Sequence, residues 1–340
     1  CQNIKKINDL KLSVIILNWN GKNLLKRFLP SVVKFTNNFD IYLVDNNSED
    51  NSIEFTENNF PNINIIKLLK NYGYAEGYNI AIKQIESDIY CFLNSDVRVT
   101  ENWTKPIIKI FKNNPLITII QPKILDEKKP EKFEYSGAAG GFIDKFGYPY
   151  CRGRIFNTTE IDTNQYHDRE IFWASGACFF VRSKNFKDLG GFDTNFFAHM
   201  EEIDFCWRNY NHGEITYYTN SSKVYHLGGQ SLKSSNPRKT FLNFRNNLLT
   251  ITKNTPSPLL LIIICRLFLD GLAGIKFLIE GKPNHMFSIL RAHLSYYKNL
   301  ILVLKFRYNN KTRKIYNSEF SVVLKYYVFR VKSFMNLTKH

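Results

Sequence analysis

Acidic residues are scarce in the last third of this chain. Residues 231–340 hold 19 Lys and Arg but only 3 Asp and Glu. Residues 1–230 hold 27 of each sign, so the net charge of +16 lies entirely beyond residue 230. That split excludes a uniformly basic nucleic-acid coat. It describes a neutral body joined to a basic unit, and a block of one sign points to a polyanion or an anionic membrane surface. Cysteine is sparse too: six residues, at 1, 91, 151, 178, 206 and 265, with no CxxC pair. Neither a zinc cage nor a redox motif is therefore suggested, and free, mostly buried cytosolic thiols are expected. No long uncharged apolar run is present. The longest charge-free stretch near the apolar segment 259–279 is Asn254–Cys265, 12 residues, too short for a plain spanning helix. The first apolar run, Leu12–Leu17, is likewise too short for a secretory signal, so a cytoplasmic chain is expected. Neither a P-loop ending in Gly-Lys-Ser/Thr nor a GxGxxG spacing occurs, which disfavours triphosphate hydrolysis and NAD binding.

The first half alternates strand-like and helix-like segments. Leu12–Leu17, Ile41–Val44, Ile63–Leu69 and Ile89–Leu93 are apolar, β-branched runs of strand length. Helices are predicted over 22–36, 49–58 and 77–87, with a loop over 71–76. This spacing predicts βαβ units and a mostly parallel sheet. Ligands of such sheets bind beyond the carboxyl ends of the strands. The polar clusters 18–21, 45–48, 71–79 and 94–96 all fall at such ends. Further on, 172–182 is predicted as a strand, 200–210 as a helix, and 215–218 and 224–226 as two short strands.

Four clusters carry chemistry. Asn94-Ser95-Asp96 follows a buried strand directly and offers oxygen ligands to a divalent cation. Glu201, Glu202 and Asp204 crowd a helix start among Phe192, Phe196, Phe197, Phe205 and Trp207. Apolar neighbours raise a carboxyl group's pKa and suit it to proton transfer. His226 precedes Gly228-Gly229, and its imidazole is suited to complete a site begun by Asp96. Gly73 and Gly77 lie in a loop feeding a helix, where backbone amides can accept phosphate.

Together these segments resemble family 2 glycosyltransferases of GT-A fold, especially bacterial rhamnosyltransferase-like members, over about residues 12–250. Val14–Gly21 (VIILNWNG) is similar to the family's opening strand and turn, Asp45–Ser48 to its DNxS segment, and Asn71–Asn79 to NxGFAxGxN. Asn94-Ser95-Asp96 occupies the DxD position, Gly190–Arg208 resembles GGFDExFFxYxEDxDLCxR, and Val224–Gly229 resembles a segment whose His can ligate metal. The resemblance implies an inverting, metal-dependent hexosyltransferase. It would use a nucleotide-diphosphate sugar, dTDP-rhamnose or a UDP-sugar, and a glycan or lipid-linked acceptor in bacterial surface polysaccharide synthesis. It implies Glu202 as base and places Glu201 and Asp204 on the acceptor side. Asp96 and His226 would hold Mg²⁺ or Mn²⁺, and Asn18, Asp45, Asn71, Gly73, Ala75, Gly77 and Asn94 would line the nucleotide. Asn94 stands where the family's first Asp is usual, and Glu202 where Asp is commoner.

The expected organisation is a GT-A domain over 1–235 and a helical, basic region over 236–340. Residues 286–334 interleave Phe and Tyr with Lys and Arg, a pattern suited to anionic lipid headgroups. Arg266 and Asp270, spaced i,i+4, are placed to pair. The expected location is peripheral, at the inner face of the plasma membrane. Rival readings are a sugar-phosphate nucleotidyltransferase, a nucleic-acid-binding protein and an inactive GT-A-like scaffold. The first lacks its Gly-rich basic loop after the opening strand, and the second has no place for the apolar run 258–265.

Overall fold

The computed structural model describes residues 10–36, 38–229, 235–256, 258–309 and 313–337. Cys1 lies outside them; the five described cysteines are free thiols. The chain opens with β1 (Leu12–Asn18), α1 (Lys22–Phe35), β2 (Asp40–Asp45), α2 (Ser52–Asn59), β3 (Asn64–Lys67), α3 (Gly73–Ala81) and β4 (Ile89–Asn94). β1 pairs in parallel with both β2 and β4, and β2 with β3. β1 is buried almost throughout, which is why its sequence is a continuous apolar run and not an alternating one. One helix differs from expectation: α3 starts at Gly73, inside the predicted loop, and ends by Ala81. Asn71 Oδ1 accepts the Gly73 amide at 2.9 Å and turns the chain into the helix early.

The sheet then becomes mixed. β5 (Val97–Val99) follows β4 after a tight turn. α4 (Lys105–Asn113) leads to β6 (Ile117–Asp126). β7 (Gly141–Ile143), β8 (Pro149–Cys151), β9 (Arg154–Ile155) and β10 (Thr158–Thr159) build a separate four-stranded antiparallel sheet. β11 (Arg169–Ile171), β12 (Cys178–Arg182), α5 (Ser183–Asp188), α6 (Glu201–Asn211) and β13 (Ile215–His226) complete the body. The main sheet has the order β11-β13-β6-β12-β4-β1-β2-β3, with β5 on β13. β12 is antiparallel to both β4 and β6 and interrupts the parallel pairing, which resumes between β6 and β13. Only Cys178–Arg182 of the predicted 172–182 strand pairs as β12; before it, Trp173 bridges Gly141 of the small sheet. The two short strands predicted at 215–218 and 224–226 are one strand, β13, bulged between Thr219 and Lys223.

The basic region folds back onto the body. α7 (Pro237–Asn254), α8 (Leu259–Ile279) and α9 (Pro283–Asn309) precede two short helices, α10 (Val322–Tyr327) and α11 (Phe334–Leu337). Leu248, Leu249 and Ile251 of α7 share a core with Phe196 of the body. Val322, Phe334 and Leu337 lie in the main core itself. A boundary at 235 therefore does not separate two packing units. Arg266 and Asp270 pair at 2.7 Å as their spacing predicts, but inside the protein. There Arg266 stacks on Tyr148, 3.8 Å from its ring centre, and Asn247 Oδ1 accepts from its Nη1 at 2.5 Å.

Candidate active site

The parallel strands β1, β2 and β4 end together, and their last residues open the site. Asp45 closes β2 beside Asn18 of β1. Asp45 Oδ2 accepts the Ser48 amide at 3.1 Å, while its buried Oδ1 has no hydrogen-bond partner among the described residues. Asn18 is buried and clamps the next loop through Ser48 Oγ (3.1 Å) and Ser52 Oγ (2.9 Å). Asn46 gathers the third segment: its Nδ2 donates to Asn71 Oδ1 at 3.1 Å and to the Gly73 carbonyl at 3.0 Å. These bonds hold a polar rim with Asp45 and Asn71 at its edge.

Asp96 sits in the turn between β4 and β5. Because β5 pairs antiparallel with the end of β13, Val97 is opposite His226. That register brings Asp96 Oδ1 to 3.1 Å from His226 Nε2. The other imidazole nitrogen, Nδ1, lies 3.2 Å from Glu134 Oε1. Glu134 is buried on the segment that returns alongside β6, and its Oε2 accepts the Ser136 amide at 2.5 Å. Burial alone would push the His226 imidazole down; the Glu134 and Asp96 charges outweigh it and hold it well above its ordinary value. Burial likewise pushes Asp96 up, and the facing imidazole pulls it below the usual carboxylate range.

Glu202 reaches the same rim from α6. Asn94, the last residue of β4, donates its amide to the Ala177 carbonyl at 2.9 Å. The neighbouring Gly176 lies against Glu202: a Cβ there would be 3.6 Å from Glu202 Oε1 and 3.1 Å from the Tyr74 hydroxyl. That hydroxyl donates to the Gly176 carbonyl at 2.8 Å. Burial raises the Glu202 carboxyl pKa. The carboxyl end of β4 thus brings together a carboxylate–imidazole pair and a second, desolvated carboxylate.

The glycosyl transferase family 2 model matches residues 13–190, the part of the chain that builds these strand ends. The chain belongs to glycosyl transferase family 2. It is 25% identical over 234 residues to N-acetylglucosaminyl-diphospho-decaprenol L-rhamnosyltransferase of Mycobacterium tuberculosis (strain ATCC 25618 / H37Rv), covering 63% of this chain and 75% of that protein. It is 24% identical over 251 residues to the low-salt glycan biosynthesis hexosyltransferase Agl10 of Haloferax volcanii, covering 70% and 74%. Its fold is similar to the crystal structure of GalNAc-T7 with UDP, GalNAc and Mn²⁺ (TM-score 0.63, 14% identity). That likeness takes in 95% of this chain, which spans 57% of the length of the GalNAc-T7 chain. The fold is GT-A, with helices at its carboxyl end, and the chain is a rhamnosyltransferase-like family 2 glycosyltransferase.

Within this family 2 site, several expected contacts are indirect. Gly73, Ala75 and Gly77 are buried, not facing the open rim. Gly73 has φ +76°, and a Cβ there would strike the Phe197 carbonyl at 2.7 Å, so the residue serves close packing. Gly77 packs on Leu17 and Ala75 lies in the core. Asn94 is half-buried at the strand end. Asp204, expected on the acceptor side, points the other way. It is fully buried, bonded to Arg208 Nε (2.9 Å), Lys253 Nζ (2.8 Å) and Asn254 Nδ2 (2.8 Å), and ties α6 to α7. Glu201 is more buried than Glu202; burial, then its neighbour's charge, drives its carboxyl pKa well up. Before α6, His199 (φ +70°) and Met200 (φ +75°) are both left-handed, a conformation that costs a non-glycine residue about 1–3 kcal/mol. Asn246 of α7 holds this bend by donating to the Ala198 (2.9 Å) and His199 (2.7 Å) carbonyls.

Glu134 is the site residue that the motifs missed. It stands alone in an irregular segment with no spacing pattern. The signal that could have found it is the His226 ring, whose second nitrogen needs a partner in a buried setting.

Proposed function

We propose that this chain moves a sugar, with inversion, from a nucleotide-diphosphate donor to a hydroxyl of a lipid-linked or growing surface glycan. The observation that carries the reading is the carboxylate–imidazole pair Asp96–His226 beside the desolvated carboxylate of Glu202, all beyond the end of β4. Glu202 takes the proton of the acceptor hydroxyl as that oxygen bonds to the anomeric carbon. The bond to the diphosphate breaks on the opposite face, and the electron pair leaves with the nucleoside diphosphate. Glu201, deeper in the protein, shapes the pocket that keeps Glu202 desolvated. Asp45 and Asn71 meet the nucleotide at the rim, Asp45 reading a pyrimidine as in dTDP-rhamnose or a UDP-sugar. Asn18, Gly73, Ala75 and Gly77 hold that rim in place, and Asn94 is set to meet the ribose or diphosphate.

A divalent cation, Mg²⁺ or Mn²⁺, fits the donor set of Asp96 and His226. A carboxylate oxygen and an imidazole nitrogen already face each other at 3.1 Å, and a cation would take the place of the proton between them. Among the described residues no three His, Cys, Asp or Glu side chains form a site able to hold a metal ion, so donor diphosphate oxygens and water would complete the coordination. When bound, the cation supplies Lewis-acid stabilisation of the leaving diphosphate. A lipid-linked acceptor places the work at the inner face of the plasma membrane. A panel of nucleotide sugars, assayed for nucleoside diphosphate release with and without Mn²⁺, tests the reading. A pyrimidine nucleotide sugar is expected to react; silence across the panel, with a lipid-linked acceptor supplied, rejects it.

A further inference from the structure

α8 and α9 form an antiparallel hairpin with one face on the protein. Ile262 and Ile263 of α8 and Ile289, Ala292 and Tyr296 of α9 are buried. His293 Nε2 meets Asp270 Oδ2 at 3.2 Å across the pair. The opposite face is apolar and exposed. On α9, Leu290, Leu294, Tyr297 and Ile301 recur at 3–4 residue spacing, within a stripe running from Phe287 to Tyr308. On α8, Leu261, Ile264, Phe268, Leu272 and Ile275 do the same. Phe268 is 67% and Ile301 73% exposed, so these side chains stand clear of the protein. The surface continues onto the next segment, where Lys276 Nζ reaches the Tyr327 hydroxyl at 3.4 Å and Phe329 is exposed.

The free charge beside this surface has one sign. Arg291, Lys298 and Lys305 are exposed at intervals of seven residues, so they form a row along one flank of the α9 stripe. α9 contains no Asp or Glu. The three acids of the region are all engaged: Asp270 with Arg266, Glu280 with Lys276 and Lys282, and Glu319 with Lys325. A second copy of the chain would bring the same cationic row to this face, and a neutral apolar partner would leave the row unanswered. An anionic bilayer answers both features, its acyl boundary taking the stripe and its headgroups the row. Among the described residues no helix is long and apolar enough to cross a membrane.

We infer that the outer face of the α8–α9 hairpin, extended by Tyr327–Arg330, lies flat on an anionic lipid surface with the Arg291–Lys298–Lys305 row at headgroup level. This deepens the membrane placement proposed above and rests on it, but vesicle binding reads it without any donor sugar. The full chain, prepared without detergent, is floated with vesicles of phosphatidylcholine alone or mixed with phosphatidylglycerol, at low and high salt. Flotation only with the anionic vesicles, weakened by salt, is expected. Replacing Arg291, Lys298 and Lys305 together by Gln lowers the partition constant on the order of a hundredfold. Phe268→Ser with Ile301→Ser abolishes flotation at either salt. Both variants keep the wild-type thermal shift with nucleotide, which certifies the fold. Equal binding to neutral vesicles, no binding, or a stable dimer broken by Ile301→Ser overturns the inference. A protein that floats but turns over no nucleotide sugar refutes the transferase reading alone; one that turns over donor but never floats refutes this one alone.

Discussion

Lys253 of α7 places its ammonium 2.8 Å from Asp204 of α6, with both residues almost wholly shielded from water. The same nitrogen is 2.7 Å from Asp193, so one buried cation serves two carboxylates. The basic region is thereby part of the catalytic body: it fixes the helix that presents Glu202. Lys253→Met would leave Asp193 and Asp204 buried without that cation. A loss of about 3–5 kcal/mol is expected in urea unfolding, the usual cost of breaking a buried pair from one side. An unchanged midpoint would refute the clamp.

Glu202→Gln keeps size and hydrogen bonding but cannot accept a proton. Turnover is expected to fall about 10²–10⁴-fold with nucleotide binding nearly intact. Near-normal turnover would remove Glu202 as the base. In the wild type, burial raises this carboxyl above the ordinary value of 4.5. The base is active only when ionised, so kcat/KM should rise with pH along an acid limb displaced upward from that value. A flat profile between pH 5 and 8 with chemistry rate-limiting would contradict the assignment.

Glu134 Oε1 lies 3.2 Å from His226 Nδ1, so in the proposed site it would act through that ring. Glu134→Ala is expected to weaken Mn²⁺ binding about 10–100-fold by calorimetry, as loss of an orienting partner does elsewhere. Nucleotide affinity without metal should stay as it was. Asp96→Ala should weaken metal-dependent nucleotide binding further, and an unaltered Mn²⁺ titration in both variants would count against the pair.

Asp45 offers a buried Oδ1 at the end of β2, unpartnered among the described residues. Asp45→Ala should narrow the difference in affinity between uridine and purine diphosphates. Equal discrimination before and after would show that the base is read elsewhere.

Glu201 is buried with Oε2 unpartnered among the described residues, and burial raises its pKa well above the ordinary value. Below the ordinary carboxylate range both folded and unfolded states are protonated, and the group costs nothing. As pH rises the unfolded state ionises first, and stability falls until the folded group also ionises. Glu201→Gln should therefore raise Tm at neutral pH, with the gain vanishing toward pH 4. A gain independent of pH would point to packing instead.

Much of the architecture was legible because it is local. Leu12–Leu17 and Ile89–Leu93 are buried on both faces, and a strand in that setting must be apolar throughout. The polar clusters at 45–48 and 94–96 mark where those strands leave the core. The start of α3 was less legible, since Asn71 and Asn46 set it through side-chain bonds that no periodicity records. β12 was misjudged in length because apolar residues 172–177 are buried under the small sheet and α6 without pairing in the main sheet. The proposed base and metal pair were candidates from their motifs, but Asp204 could not be separated from them. Three carboxylates in four residues look alike until α7 claims one.

The sequence by itself determined the alternating strands and helices, the polar strand ends, the two kinds of carboxylate cluster and the confinement of excess charge to the last third. Each depends on neighbours within a turn or a strand. Tertiary structure decided the pairings between distant segments. Asp96 meets His226 only through the β5–β13 register, Glu134 reaches the same imidazole from the far side, and Asp204 is turned into Lys253. It also decided that the basic helices fold onto the body, burying one apolar face of α8 and α9 and leaving a second exposed. A side chain's partner is set by which long-range contacts bury it, and that choice is made by the whole chain at once.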